Sequence, residues 1–247
     1  MNKYDVKYYQ CTECDFIQTE KVFWLNEAYS NAITFLDIGL IYRNEVVKPI
    51  IKSLAYFLFK NKGKYIDYGG GYGMLVRMMR DSGLDYYRQD LYCENLFAKY
   101  FDVSAIQEDE KHQFNMLTAF EVFEHLDNPI FEIEQMFKYS DTLFFSTLII
   151  PKIQKIEKPS DWWYFIPETG QHIALYSIKS LEYIAKKYDY SFYTNGINYH
   201  MFTKKPMSRI IFKMLTNYKV SRIYNTFFRK KSSLLMNDFN FINNLNK

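Results

Sequence analysis

The stretch YIDYGGGYG, from Tyr65 to Gly73, begins in an apolar run and holds four glycines in nine residues. A glycine-rich turn between a strand and a helix lets the main chain approach a ligand closely, and the helix N-terminus adds hydrogen-bond donors. The G-x-G-x-x-G spacing of dinucleotide sites is not met, because its last position would fall on Met74 or Val76. Asp90 follows about 20 residues later, the separation that places a carboxylate on a ribose diol. The pattern predicts a ribose-containing ligand and disfavours a nicotinamide oxidoreductase.

Strand and helix patterns alternate on both sides of this turn. They predict a helix over 44–60, strands over 64–68, 84–89, 102–106, 115–120 and 142–150, helices over 73–81, 94–100, 129–139 and 178–188, and a hairpin around Asn195 and Gly196. Such a chain forms an α/β, Rossmann-like fold with a mostly parallel sheet and helices on both faces. Because ligands of these sheets bind at the carboxyl ends of the strands, the glycine turn and the residues after the fourth strand should share one edge.

Composition limits the class of protein. The chain has 247 residues, of which 48% are hydrophobic, enough for one large domain with a small appendage. Three cysteines are too few for a disulfide framework, which indicates a reducing compartment. The apolar runs are shorter than the roughly 18 residues of a membrane helix, and the first residues are too polar for a signal peptide. These features predict a cytoplasmic protein.

Two of the cysteines, Cys11 and Cys14, form a CxxC pair between two short extended segments. This arrangement is typical of a zinc knuckle, but a closed zinc site needs four ligands and a second CxxC is missing. We therefore predict a metal-free N-terminal hairpin and assign no metal ligands.

Three segments together resemble one family, the class I S-adenosylmethionine-dependent methyltransferases. They are YIDYGGGYG, the acid Asp90, and FNMLTAFEVFEHLDNP, which is similar to the EVxEHL signature of small-molecule methyltransferases. The resemblance covers about residues 44–200. It implies S-adenosylmethionine as the cofactor and a seven-stranded sheet, with the cofactor across the tips of the first, second and fourth strands. The segment DWWYFIPETGQHIALYS is similar to a subgroup found with bacterial surface-polysaccharide functions, and CTEC resembles a remnant of the cysteine knuckle of that subgroup.

Carried over by position, the resemblance implies a cofactor site. Asp90 would hold the ribose hydroxyls, and Glu121, at the tip of the fourth strand, would face the cofactor or the substrate. Asp67 would bind near the amino-acid part of the cofactor or brace the loop. For an acid near the adenine, Glu108 and Asp109 both stay open. The glycines that would line the methionine and ribose are Gly69, Gly71 and Gly73.

Methylation of a hydroxyl requires a base in addition to a positioned acceptor, and histidine titrates near neutrality. We predict that His172, in the aromatic, turn-rich segment, is this base. His125, beside Glu124, is predicted as a second catalytic-site residue, and a purely structural role at a helix start is the alternative for it.

Aromatic residues of the segment 151–177 predict a substrate lid. One ring of the adjacent pair Trp162 and Trp163 is expected to pack inward and the other to stack on the substrate. Tyr176 is a further substrate-binding candidate, although the abundance of tyrosine in the chain favours structural roles for Tyr164 and Tyr176.

The segment from Met207 to the end predicts a basic helical extension. It has eight Lys and Arg and one Asp, a net charge of +7, whereas the whole chain carries +3. A solvated helix face, a patch for peripheral membrane contact and a collar for a phosphorylated substrate are open alternatives.

The expected organisation is an N-terminal hairpin and lead-in over 1–40, a methyltransferase domain over 41–206 and the extension over 207–247. The oligomeric state stays open.

The predicted function is S-adenosylmethionine-dependent O-methylation of a small molecule, such as a sugar or a phosphate-bearing group in capsule or surface-polysaccharide biosynthesis. The weak net charge and the lack of a D/N-P-P-Y pattern after the fourth strand disfavour nucleic acid as a partner. An alternative is a non-catalytic binding or assembly protein of a polysaccharide-modifying complex. Asp90 opposes it, because a scaffold needs no ribose carboxylate.

Overall fold

The computed structural model describes residues 3–29, 36–106, 114–152, 156–227 and 231–245. Glu108 and Asp109, the two candidates for the acid near the adenine, lie outside the described residues. The strands are β1 (Tyr8–Gln10), β2 (Ile17–Thr19), β3 (Lys64–Tyr68), β4 (Asp85–Gln89), β5 (Phe114–Ala119), β6 (Thr142–Ser146), β7 (Ala174–Leu175), β8 (Ser191–Thr194) and β9 (Tyr199–Thr203). The α-helices are α1 (Leu25–Ala28), α2 (Leu40–Phe59), α3 (Met74–Asp81), α4 (Pro129–Phe137), α5 (Ile178–Lys187), α6 (Arg209–Leu215), α7 (Tyr218–Phe227) and α8 (Leu235–Leu245).

Six strands form the central sheet, in the order β4-β3-β5-β6-β9-β8. β3 pairs in parallel with β4 and β5, and β5 pairs in parallel with β6. β9 runs antiparallel to both β6 and β8. The carboxyl ends of β3, β4, β5 and β6 therefore lie at one edge, and the predicted Rossmann-like α/β fold is confirmed.

The described residues have six strands in this sheet where seven were predicted, because the segment after β4 is held by side chains. Asp102 makes only an isolated bridge with Arg88, and a 3₁₀ turn, Val103–Ala105, follows where a strand was predicted. The helix predicted over 94–100 is also absent. The Asn95 side chain accepts a hydrogen bond from the Ala98 N–H at 2.9 Å and donates to its carbonyl at 2.7 Å, so it replaces helical bonds.

Helices cover both faces of the sheet, so its central strands are buried on both sides. On one face α2 and α3 contribute Ile50, Leu54 and Leu75 to a cluster of buried apolar side chains. On the other face α4 and α5 contribute Ile133 and Leu181 to a second cluster. Each such side chain contributes about 1.5–3 kcal/mol to folding, and close packing makes the sheet a rigid base for the loops at its edge.

The N-terminal hairpin is joined to the predicted lid by backbone pairing. β1 and β2 are antiparallel, and β2 also pairs with β7, which lies in the segment 151–177. Side chains tighten this contact, because Trp24 Nε1 donates to the Gly170 carbonyl and Gln171 Nε2 donates to the Ala28 carbonyl, both at 2.8 Å. The hairpin is therefore packed against the lid segment.

The C-terminal helices pack against the sheet domain. α7 packs along α2, and α8 is attached to α3 through the buried pair of Arg80 and Asp238. Arg80 donates to both carboxylate oxygens of Asp238, at 2.8 and 2.7 Å. Within the described residues, none of the helices combines the length and the apolar character needed to cross a bilayer.

Candidate active site

The glycine turn between β3 and α3 exposes its backbone at the carboxyl edge of the sheet. Gly69 has φ +67 and Gly71 has φ +54, in the left-handed region that favours glycine. A Cβ on Gly71 would meet nothing within 4 Å, so its backbone borders open space. A Cβ on Gly69 would lie 2.7 Å from Val122 Cγ2, in the loop after β5. The turn is thus open above Gly71 and closely packed at Gly69.

Asp90 and Arg88 hold this turn in place from β4. Asp90 Oδ2 accepts the Gly71 N–H at 2.9 Å, while Oδ1 accepts the N–H groups of Tyr92 and Cys93 at 2.8 and 2.7 Å. The buried guanidinium of Arg88 donates to the Gly71 carbonyl at 2.6 Å, to Asp102 Oδ1 at 2.7 Å and to the Cys93 carbonyl. Carboxylate oxygens have two lone pairs each, so Asp90 keeps acceptor capacity for a ligand hydroxyl.

Asp67 lies beneath the turn. It is buried, and it accepts a hydrogen bond from Thr118 Oγ1 at 2.7 Å. Burial raises the pKa of Asp67 to about 7, and the Thr118 hydrogen bond opposes the rise. This carboxyl therefore braces β3 and β5 against each other. The two alternatives for Asp67, binding near the amino-acid part of the cofactor and bracing the loop, stay predictions.

Glu121 begins the loop after β5 with a strained backbone. Its φ is +53, in the left-handed region of backbone conformation. L-residues adopt this region at a cost of about 1–3 kcal/mol, and residues strained in this way are frequent at functional sites. Ser146 at the end of β6 maintains this conformation. Its Oγ accepts the Glu121 N–H at 2.9 Å and donates to Glu121 Oε1 at 2.8 Å. The carboxylate is thus held at the same edge as the glycine turn.

Glu124, His125 and His172 converge beside Glu121. One donor atom from each of the three side chains lies within 4.8 Å of the other two. Glu124 is fully buried and Tyr164 donates to its Oε1 at 2.5 Å, whereas its Oε2 has no hydrogen-bond partner among the described residues. Burial, together with the charge of Glu121, raises the pKa of Glu124 to about 8. The Thr147 hydroxyl opposes this rise, although its own Oγ1 also lacks a hydrogen bond of good geometry.

The two histidines of this cluster differ from the base predicted from sequence. His172 is buried with its Nδ1 2.6 Å from the Tyr164 carbonyl, and Nδ1 of the partly buried His125 is 3.0 Å from the Tyr29 hydroxyl. Burial lowers the pKa of His172 to about 4, and burial and the neighbouring His172 lower the pKa of His125 to about 3. Both rings are therefore neutral near pH 7, and they titrate below the neutral range expected for the base. The assignment of His172 as the base stays a prediction.

The three predicted aromatic residues occupy different environments. Trp162 packs inward with Ile17 and Phe165, whereas Trp163 is 69% exposed, so the pair splits as expected. Tyr176 is fully buried and donates to the Phe123 carbonyl at 3.1 Å. Its substrate-binding prediction is therefore corrected, because its ring supports the loop after β5 from the core and offers no surface to a ligand.

Three further residues of the site were missed or given another role from sequence. Arg88 was not singled out from the sequence, although a buried arginine always needs partners. Tyr29 comes from the N-terminal segment, where its ring stacks on Tyr92 with centroids 5.6 Å apart while its hydroxyl contacts His125. Tyr164 was assigned a structural role, yet it contacts both Glu124 and His172. Only tertiary structure brings these residues together, and no local spacing marks them.

A shallow cavity of about 380 Å³ lies at the opposite edge of the sheet, at the start of β5 and β6. Asn115, Thr142 and Lys205 are among its lining residues. The polar groups described above all lie at the carboxyl edge, where parallel sheets bind ligands. The cavity is therefore separate from the candidate active site.

Comparisons with known proteins show the family and the fold of this chain. The family described as a methyltransferase domain matches residues 41–194, more than half of the chain. The comparison with curated proteins returned no match.

Solved structures are similar in fold at low sequence identity. The plantazolicin methyltransferase BpumL, in complex with a monoazolic desmethylPZN analog and SAH, is 14% identical with a TM-score of 0.50, over 82% of this chain and 87% of that chain. The Burkholderia thailandensis 1,6-didemethyltoxoflavin-N1-methyltransferase is 10% identical with a TM-score of 0.49, over 81% and 97%. The mitomycin 7-O-methyltransferase MmcR is 11% identical with a TM-score of 0.45, over 74% of this chain and 60% of that one.

Proposed function

This chain belongs to the methyltransferase-domain family and is an S-adenosylmethionine-dependent methyltransferase, and on that premise we propose that it methylates a hydroxyl oxygen of a small molecule. The observation that carries the proposal is that the glycine turn and the loop after β5 lie next to each other at the carboxyl edge of the sheet. The open glycine turn braced by Asp90 packs, through Gly69 and Val122, against the loop that holds Glu121 and Glu124. One side fits a cofactor and the other fits an acceptor.

Three features of the glycine turn support a binding site for S-adenosylmethionine there. The space above Gly71 admits a ligand against the backbone, and Asp90 is placed to accept ribose hydroxyl hydrogens. α3 begins at Gly73 without a side-chain cap, so N–H groups of its first turn are available to the methionine carboxylate. In the proposed site Gly69, Gly71 and Gly73 form the turn beside the methionine and ribose, with Gly71 next to the open space, while Asp67 supports β3 beneath the turn.

When bound, S-adenosylmethionine supplies a methyl group that the sulfonium has already activated for displacement. The acceptor oxygen forms a bond to this methyl, the bond between sulfur and methyl breaks, and the hydroxyl proton leaves. The protein must hold the oxygen about 3 Å from the methyl carbon and in line with the breaking bond, and such positioning supplies most of the acceleration. We assign this task to Glu121, His125 and His172, which belong to the loop after β5 and to the lid segment joined to it.

A sugar-derived acceptor from capsule or surface-polysaccharide biosynthesis is our proposal for the substrate class. Its support is the exposed ring of Trp163, since an exposed aromatic face stacks well on a sugar ring. The net charge of the segment after Met207 would favour a phosphorylated or nucleotide-linked form of the sugar. Membership of an enzyme family favours catalysis over the assembly-protein alternative.

Calorimetry with S-adenosylmethionine and S-adenosylhomocysteine tests the proposal, with NADH as the ligand control. We expect both sulfur ligands to bind, and Asp90→Ala to weaken both by about 10- to 100-fold, because buried hydroxyls lose an acceptor worth about 1–3 kcal/mol. The matched control is Asp37→Ala, which removes a partly exposed carboxylate paired with Arg43. Absence of binding would contradict the proposed function, and unchanged affinity in Asp90→Ala would contradict the role of Asp90. Nucleotide-sugars are then screened for methyl incorporation from labelled cofactor.

A further inference from the structure

Glu124, His125 and His172 form a three-sided set of ligands beside the proposed acceptor position. Donor atoms bound to one ion at about 2.1 Å lie roughly 3–4 Å apart, and the three donor atoms here already lie within 4.8 Å of one another. Glu124 and His125 lie in the 3₁₀ turn after β5, and His172 lies in the lid segment. The two segments are joined because the Ile173 N–H donates to the Glu124 carbonyl at 2.8 Å. Closing the set on an ion needs only small side-chain shifts.

A second observation points independently to a ligand at this place. Glu124 Oε2 is buried and lacks a hydrogen bond of good geometry among the described residues, with the Thr147 hydroxyl as its polar neighbour, while the other oxygen is occupied by Tyr164. A buried polar atom of this kind costs about 1–3 kcal/mol and more if it is charged. A cation would satisfy this oxygen, and the nearby carboxylate of Glu121 would add to the attraction.

The surrounding hydrogen bonds orient the ligands as metal sites require. The Nδ1–H of His172 donates to the Tyr164 carbonyl in the tautomer that this contact selects, which leaves Nε2 as a free lone pair. His125 contacts the Tyr29 hydroxyl through Nδ1 and also forms a backbone hydrogen bond with Gln171, so one of these two contacts gives way when its ring binds an ion.

We propose that Glu124, His125 and His172 bind one divalent first-row transition-metal ion, such as Zn²⁺ or Mn²⁺, with an open coordination position for the acceptor hydroxyl. Two imidazoles and one carboxylate favour such an ion over Mg²⁺ or Ca²⁺, which prefer oxygen ligands. Three protein ligands and one open position are the arrangement of catalytic sites, whereas structural zinc sites have four protein ligands. This inference rests on the proposed function for the role of the open position.

The ion would activate the acceptor hydroxyl by lowering its pKa, which the side chains do not do. A metal-bound hydroxyl has a lowered pKa, so it loses its proton to water near neutral pH and its oxygen takes the methyl as the sulfonium becomes a thioether. The proton released balances the positive charge that the sulfonium loses. The acceptor class narrows accordingly to alcohols that can bind a metal, of which a sugar with adjacent hydroxyls is one.

Calorimetric titration of the chelator-treated full chain with Zn²⁺ alone, then with Mn²⁺ alone, tests the proposal. We expect one site of micromolar affinity or tighter, and a loss of at least about tenfold in Glu124→Gln and in His172→Ala. Glu124→Gln preserves size and the acceptor for Tyr164, so its folding, checked by circular dichroism and thermal melting, should match the parent protein.

The matched control is the double variant Cys11→Ser/Cys14→Ser, because the CxxC pair is the competing zinc ligand and its cysteines are accessible. Parent-like affinity in this variant supports the proposal, and so does a Co²⁺ spectrum without thiolate charge-transfer bands. The proposal would be overturned if Zn²⁺ affinity were lost in the cysteine variant and retained in Glu124→Gln. It would also be overturned if the parent protein bound neither Zn²⁺ nor Mn²⁺.

Cofactor titrations on the same samples separate this inference from the proposed function. S-adenosylmethionine binding without metal binding would reject the metal site and leave the methyltransferase function intact. Metal binding that fails in Glu124→Gln, in a protein that does not bind S-adenosylmethionine, would support the metal site and reject the proposed function.

Discussion

The glycine turn and the loop after β5 lie side by side at one edge of the sheet, yet they are built in different ways. Gly71 is held by Arg88 and Asp90, which are 17 and 19 residues away in the chain. Glu124 is held by Tyr164, 40 residues away, and His125 by Tyr29, 96 residues away. The cofactor side is thus a local structure, and the acceptor side is assembled from segments that meet only in the folded protein.

This difference has a functional consequence. A local turn that fits a common cofactor can stay the same while the acceptor side changes, because its anchors Arg88 and Asp90 are separate from those of Glu124 and His125. Tyr29, which stacks on Tyr92 and contacts His125, is one place where the two sides meet. The contact between Gly69 and Val122 is another. Substitutions on one side should therefore leave ligand binding on the other side largely unchanged, and the following predictions test this separation.

The largest effect is expected for Arg88→Ala, on the cofactor side. Removing the guanidinium leaves two loop carbonyls without a donor and takes the cation away from Asp102 and from the buried Asp90. Breaking a buried ion pair costs about 3–5 kcal/mol of unfolding free energy. Because Gly71 and Cys93 lose their anchor, S-adenosylmethionine affinity should also fall by more than about tenfold. Urea denaturation and calorimetry measure the two effects.

The matched control for Arg88→Ala is Arg43→Ala, which removes an arginine paired with Asp37 on the surface. Exposed pairs contribute about 0–1 kcal/mol, so this variant should be nearly as stable as the parent protein. Equal losses in the two variants would contradict the assigned role of Arg88. A parallel loss of Zn²⁺ affinity in Arg88→Ala would show that the two sides are not separate.

An intermediate effect is expected where the two sides touch. Gly69→Ala places a methyl 2.7 Å from Val122 Cγ2 at a positive φ, which should cost about 3 kcal/mol of unfolding free energy. Val122→Ala should relieve the clash in the double variant, so that this variant is about 1–2 kcal/mol more stable than the sum of the single effects predicts. Additive losses, measured in a double-mutant cycle by urea denaturation, would place the strain in the backbone of Gly69 alone.

Sequence reasoning succeeded where contacts are local. The pattern of YIDYGGGYG predicted β3, the turn and α3 within one residue, because strand, turn and helix signals are contiguous there. It failed after β4, where the Asn95 side chain and the ion pair of Arg88 with Asp102 override the predicted helix and strand. Competition between side chain and backbone depends on geometry that no periodicity encodes.

The acceptor side was only partly predictable for the same reason. The spacing of FNMLTAFEVFEHLDNP placed Glu121 and His125 after β5, and the lid segment supplied His172. The convergence of His172 on Glu124 requires the turn around Tyr164 and the pairing of β2 with β7. Likewise, burial shifts the pKa values of both histidines far from neutrality, and burial becomes known only from the folded structure.

The smallest effect is expected for Tyr164→Phe, on the acceptor side. The substitution removes one hydroxyl and leaves Glu124 Oε1 buried without its donor, which should cost about 1–3 kcal/mol of unfolding free energy. The ring, which packs against His172, remains. Because Glu124 loses the group that orients it, Zn²⁺ affinity should fall by about 10- to 100-fold, as for other residues that orient metal ligands. S-adenosylmethionine affinity should stay unchanged, since Asp90 and Gly71 are untouched.

The control for Tyr164→Phe is Tyr9→Phe on the exposed face of β1, for which neither stability nor binding should change. If Tyr164→Phe alters cofactor affinity and leaves Zn²⁺ affinity intact, the assignment of the two sides is reversed.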